Sequence, residues 1–192
     1  MTGPGVLPPP LPIGGPIAAI PMMGVWLPET LEPHALAVCR HALSRVGVCE
    51  VPLGSNRGEL VDQWNREAGA PPASFWCASF ASAMWRYAGL PTPGKGKNPN
   101  CDELMKFMKE TGRWSMRPAL GGMVFYGPHA GDSTHVALSV RLAPASLVVG
   151  GNERIGAKAS RNGVAVSLRE EAREDILGYG HPWPLLPSER RS

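Results

Sequence analysis

The apolar residues of this chain change their spacing once, between residues 111 and 122, and that change constrains the fold more than any other feature. Before it they recur every three or four positions, the period of helices. After it they fall in short runs bounded by glycine, proline and asparagine, the pattern of strands. Helices first and a run of adjacent strands afterwards predict an α+β layout, with N-terminal helices packed on an antiparallel sheet of roughly five strands.

Leu36, Val38, Cys39, Ala42, Leu43 and Val46 set a first helix over 34–46, which Gly47 ends. Glu50 to Gly58 is a loop by composition. Leu60, Val61, Trp64 and Ala68 give the inner face of a second helix over 59–68. A third helix lies within 74–89, with Ser74 as N-cap, Gly89 as C-cap and Pro91 barring any extension. Its polar residues Ser79, Ser82 and Arg86 make one narrow wet stripe, so most of its circumference is apolar and buried. A fourth helix spans 101–111. Strands follow at 122–126, 136–142, 145–150, 163–168 and 176–180, with turns at Pro144 and at Asn162-Gly163.

A chain of 192 residues, 43% of them hydrophobic, can bury one ordinary core, and the 23 glycines and 21 prolines favour a loop-rich domain over a helical bundle. Residues 1–30 carry no charge before Glu29 and hold eight prolines, which would break any helix crossing a membrane. They read as an extended, polyproline-type arm. The domain then occupies 31–186 and a short polar tail 187–192. No basic residue precedes Arg40, so no cleavable secretory signal is recognisable. A net charge of +3 without any basic run argues against nucleic acid as a partner.

The four cysteines show neither a C-x-x-C pair nor a histidine at ligand spacing, so no structural zinc site is expected. A Cys39–Cys49 disulfide is conceivable if the protein works outside the cytoplasm, yet four scattered cysteines in a chain of this size do not make a disulfide scaffold. Cys77 is different, because it falls in the first turn of the third helix, where free backbone N–H groups and the helix dipole favour a thiolate. A cysteine on an inner helix face also packs as a small hydrophobe, so its partners decide.

A thiol nucleophile needs a base, usually a histidine steered by a third polar group. Of the five histidines, His34 and His41 sit on the first helix, His129 in a loop and His181 near the C-terminus. His135 opens a strand, a rigid position at a sheet edge, and is the preferred base. The next strand ends in Gly150-Gly151-Asn152, where Asn152 is placed to orient the ring; Asp132 is the second choice. Gln63 and Asn65 are candidates to complete an oxyanion hole with the backbone N–H of Cys77.

Taken together, Trp76-Cys77-Ala78-Ser79-Phe80, the upstream segment Glu50 to Arg57, Gly121-Gly122-Met123-Val124-Phe125, His135-Val136-Ala137 and Gly150-Gly151-Asn152 resemble the NlpC/P60 and CHAP superfamily of papain-like cysteine hydrolases. The likeness covers residues 36 to 184 and is greatest to the single-domain bacterial and phage branch with a Trp-Cys-Ala-x-Phe motif. It implies a papain-like NlpC/P60 fold and a peptidoglycan hydrolase that cuts an amide bond of the stem peptide or the muramoyl-L-alanine link. By position Cys77 matches the nucleophile, His135 the base and Asn152 the orienting residue. Many relatives carry Asp where Gly122 stands, and many CHAP members carry Glu where Gly150 stands. The acidic calcium loop of some CHAP enzymes has no counterpart, so the resemblance implies no metal requirement and no cofactor.

The resemblance implies peptidoglycan stem peptides as the partner, an inhibitor or delivery protein as a further one, and a monomer. It implies action in the periplasm or cell wall after synthesis in the cytoplasm, as a phage endolysin or a secreted antibacterial effector. The rival readings are a papain-like acyltransferase of transglutaminase type and a non-catalytic wall-binding module.

Overall fold

The computed structural model describes residues 33–93, 100–129, 131–143, 145–153, 163–171 and 174–188. The proline-rich arm over 1–30, Pro144, Asn162 and the end of the polar tail at 189–192 lie outside them.

Four helices, α1 (Pro33–Leu43), α2 (Glu59–Ala68), α3 (Cys77–Tyr87) and α4 (Cys101–Glu110), come first. Six strands follow: β1 (Trp114–Ser115), β2 (Met123–Tyr126), β3 (His135–Arg141), β4 (Leu147–Glu153), β5 (Ala165–Glu170) and β6 (Ile176–Gly180). They form one antiparallel sheet in the order β1-β6-β2-β3-β4-β5. The chain is therefore α+β, with one strand more than the spacing predicts. The addition is β1, which at two residues is too short to carry a period of its own.

Local chemistry sets most boundaries. α2 begins with Glu59 and Asp62, carboxylates that suit the positive end of a helix, and ends at Gly69, whose φ of 80° is the left-handed turn that glycine takes without cost. The Asn100 side chain accepts a hydrogen bond from the N–H of Glu103 at 2.8 Å and so caps α4. α1 stops at Leu43, earlier than Val46, and turns carry the chain to Gly47.

All the helices lie on one face of the sheet, where Met123, Phe125, Val136, Leu138, Val140, Val149 and Val166 meet Leu36, Trp64, Trp76, Phe80, Met84 and Leu104. The opposite face carries Val124, Tyr126, Ala137, Val148 and Tyr179. This alternation is the two-residue period of a strand buried on both sides. α3 is the central helix, packed against α1, α2, β3 and β4.

The stripe of Ser79, Ser82 and Arg86 is not wet. Ser79 and Ser82 are buried, and the Ser82 hydroxyl has no hydrogen-bond partner among the described residues. Only Arg86 reaches outward, pairing with Glu67 at 3.1 Å. Serines are small enough to sit where helices approach closely, which the polarity pattern alone does not register. The Cys39–Cys49 bridge is also absent: both thiols are free, Cys39 on the carbonyl of Ser139 and Cys49 on that of Gly47.

Candidate active site

α3 starts at Cys77, three residues beyond Ser74, and Trp76 occupies the cap position without a capping side chain. Ser74 is engaged elsewhere: its hydroxyl donates to the carbonyl of Pro71 at 2.8 Å, closing a turn of its own. Trp76 is drawn into the core, its ring stacked 5.8 Å from that of Trp64 and its indole N–H donating to Glu50 Oε1 at 2.8 Å. Glu50 Oε2 accepts from the N–H of Asn56 at 2.9 Å, so the buried carboxylate ties the 50–57 loop to the residue before Cys77. The consequence is a cysteine at the first helical position, where its own N–H and those following are unused by the helix.

Gln63 and Asn65 each commit an amide N–H to a partner other than Cys77. Gln63 donates to Glu67 Oε1 at 2.7 Å, and Asn65 donates to the carbonyl of Ser74 at 3.2 Å, which shapes the turn leading to Cys77.

His135, the first residue of β3, pairs with Tyr126 across the sheet, their rings 6.0 Å apart. Its Nε2 lies 2.8 Å from Oε1 of Glu153, both side chains being almost wholly buried. The same carboxylate oxygen accepts from Arg169 Nε at 3.0 Å, and the guanidinium lies over the Tyr126 ring at 5.2 Å. The partner of this ring nitrogen is thus Glu153 and not its neighbour Asn152, nor Asp132, which is exposed in the turn beginning at His129.

A bulge in β4 explains the exchange. The strand pairs regularly with β5 as far as Gly150, then shifts so that Glu153 faces Ala165. Asn152 takes φ of 57° within the shift, a left-handed conformation that asparagine tolerates better than most residues. The Glu153 side chain then folds back over Gly150, where an added Cβ would collide with its carboxyl group. Simple alternation would put Asn152 on the Gly150 face, and only the bulge brings Glu153 there. Gly122 is equally constrained, since a Cβ would come 2.8 Å from the carbonyl oxygens of Ala119 and Gly180, leaving no space for a side chain.

A residue that motif reading passes over is Cys101, the first of α4. Its sulfur lies 3.6 Å from that of Cys77. Next to it, Asp102 Oδ1 accepts from the N–H of Ser133 at 2.6 Å and fixes the loop that leads into His135. The available sequence signal was the Asn100 cap, which places Cys101, like Cys77, at a helix start.

These contacts set the protonation of the site. The bond from the Cys101 thiol is the largest influence on Cys77 and lowers its pKa; burial opposes it, while the adjoining imidazole of His135 and the N–H of Val136 lower it further. The net effect holds the Cys77 thiol well below its ordinary value. Burial by itself would lower His135, but the neighbouring sulfur and then Glu153 outweigh it and raise the imidazole to about 9. Burial would likewise raise Glu153, yet His135 and Arg169 bring it down. A thiolate and an imidazolium at neutral pH are what this arrangement favours. Nδ1 of His135 has no well-aligned partner in the resting state, so sulfur and ring are coupled by proximity and charge ahead of any tight contact.

No family model matches the chain, and no curated protein matches it. Among solved structures it is similar to the peptidoglycan hydrolase RipB of Mycobacterium tuberculosis, at 19% identity and a TM-score of 0.49, over 79% of this chain and 66% of that one. The chain thus spans slightly less than two thirds of that structure's length.

Proposed function

We propose that the chain is a cell-wall hydrolase of the NlpC/P60 and CHAP kind, cutting an amide bond of the peptidoglycan stem peptide or the muramoyl-L-alanine link. Cys77 is the nucleophile, His135 the acid and base, and Glu153 holds the ring. The observation that carries this reading is a thiol at the first position of a buried helix beside an imidazole whose far nitrogen is bound to a carboxylate. The motif resemblance supplies the substrate class, and the geometry supports the chemistry.

In this mechanism the Cys77 thiolate adds to the substrate carbonyl, and its own backbone N–H holds the developing oxyanion. The imidazolium of His135 passes a proton to the departing amine. A thioester remains on Cys77. Neutral His135 then takes a proton from water, which adds to the thioester and frees the acid. Glu153 stays ionised throughout and keeps Nε2 protonated, so that Nδ1 is the nitrogen that exchanges protons with substrate.

Incubation of purified sacculi with the protein, followed by mass spectrometry of the soluble muropeptides, tests the reading. New free amines and defined peptide fragments are expected from the wild-type chain and not from Cys77→Ala. Equal release by the variant, or none by either, contradicts it.

A further inference from the structure

We propose that Cys101 is a resolving thiol for Cys77: a peroxide oxidises the pair to a Cys77–Cys101 disulfide, which switches the site off reversibly and shields Cys77 from irreversible oxidation. The loss of activity rests on the hydrolase reading above; the formation of the bond does not.

The two sulfurs stand 3.6 Å apart, and a disulfide needs about 2.05 Å, a closure within reach of small side-chain rotations. Each cysteine opens a helix, α3 and α4, so the two sulfurs meet where the N-terminal ends of those helices approach. The pair is held in register from both sides. Asn100 caps α4, and Asp102 binds the N–H of Ser133 two residues before His135. The other two cysteines are unsuited to the role. Cys39 is buried on the carbonyl of Ser139, with burial pushing its thiol up to about 12, and Cys49 bonds locally to Gly47.

The chemistry balances with peroxide as the two-electron oxidant. The Cys77 thiolate attacks one peroxide oxygen, the O–O bond breaks, and a sulfenic acid forms with release of water after protonation. The Cys101 sulfur then attacks that of Cys77, the S–O bond breaks, and the hydroxyl leaves as water with the proton from the Cys101 thiol. A dithiol reductant returns both thiols. Without Cys101 the sulfenic acid has no neighbouring thiol and passes on to the sulfinic acid.

Treatment of the full chain with hydrogen peroxide, then iodoacetamide labelling and peptide mass spectrometry, tests this. Cys77 and Cys101 are expected to lose labelling together, to appear as one cross-linked species, and to regain labelling with dithiothreitol. In Cys101→Ala the fraction of Cys77 recovered by dithiothreitol is expected to fall by at least about tenfold, because oxidation runs on to the sulfinic acid. The inference is overturned if wild-type Cys77 becomes sulfinic acid, or links to Cys49, while Cys101 still labels. The wild-type cross-link needs no variant to fold. A cross-link in a protein inactive on sacculi overturns the hydrolase reading alone, and an active protein without one overturns this inference alone.

Discussion

The Glu153 carboxylate sits 2.8 Å from Nε2 of His135, in the space that a side chain on Gly150 would fill. A side chain at 150 and the Glu153 carboxylate therefore exclude one another beside the imidazole. In this chain glycine at 150 leaves the space open and the bulge at Asn152 brings Glu153 into it.

Glu153→Gln keeps the shape of the side chain and removes its charge. The expected outcome is a loss in kcat on the order of a hundredfold or more, with the alkaline limb of the pH profile moved to lower pH because the imidazolium loses its carboxylate. Asn152→Gly keeps the left-handed turn and removes the carboxamide, and should cost less activity than Glu153→Gln. The reverse order would return the orienting role to Asn152.

Gly150→Ala tests the same contact by crowding. Its Cβ displaces the Glu153 carboxylate, so kcat and the alkaline limb should shift as they do in Glu153→Gln. Gly151→Ala acts elsewhere, placing a Cβ 2.7 Å from Phe80 Cβ and from Trp76 Cζ3. Overpacking of this kind costs about 1–3 kcal/mol and should appear as a lower Tm. Thermal melts beside pH profiles separate the two effects.

On the proposed mechanism, activity should hold across neutral pH and fall as pH rises through about 9, where His135 loses the proton that the departing amine needs. Stability follows the same groups. His135 is raised on folding, so its contribution is fully present below its unfolded value and is lost as pH climbs through about 9. Glu153 is lowered, so its contribution is present above its unfolded value and is lost as pH falls through the lower folded one. Melts across pH should therefore decline at both ends.

Trp76→Phe removes the N–H that Glu50 accepts and leaves a buried carboxylate oxygen short of a donor. A loss of about 1–3 kcal/mol is expected. For a domain of this size that lowers Tm by about 2–4 °C for each kcal/mol, readable by calorimetry.

The helices and strands were largely legible because their apolar spacing reflects a sheet buried on both faces and helices buried on one. α2 and β6 lie at the positions the spacing predicts. The misses occurred where tertiary contacts overrode local rules. Ser74 is a good cap by type, but Trp76 is drawn toward Glu50 and Trp64, and the helix starts after it. Asn152 is in register with Gly150 by alternation, but one left-handed residue hands the position to Glu153. Cys101 lies 24 residues from Cys77, and only the approach of α4 to α3 joins them. The positions of Cys77 at a helix start and His135 at a strand start were legible because both are local features.

The rate of iodoacetamide alkylation at Cys77 as a function of pH probes the thiolate–imidazolium pair most directly. Fast labelling that persists well below the ordinary thiol pKa of about 8.5, and that reverts toward that value in His135→Ala, is the predicted result. A wild-type profile rising only near 8.5, unchanged by loss of the imidazole, would contradict it.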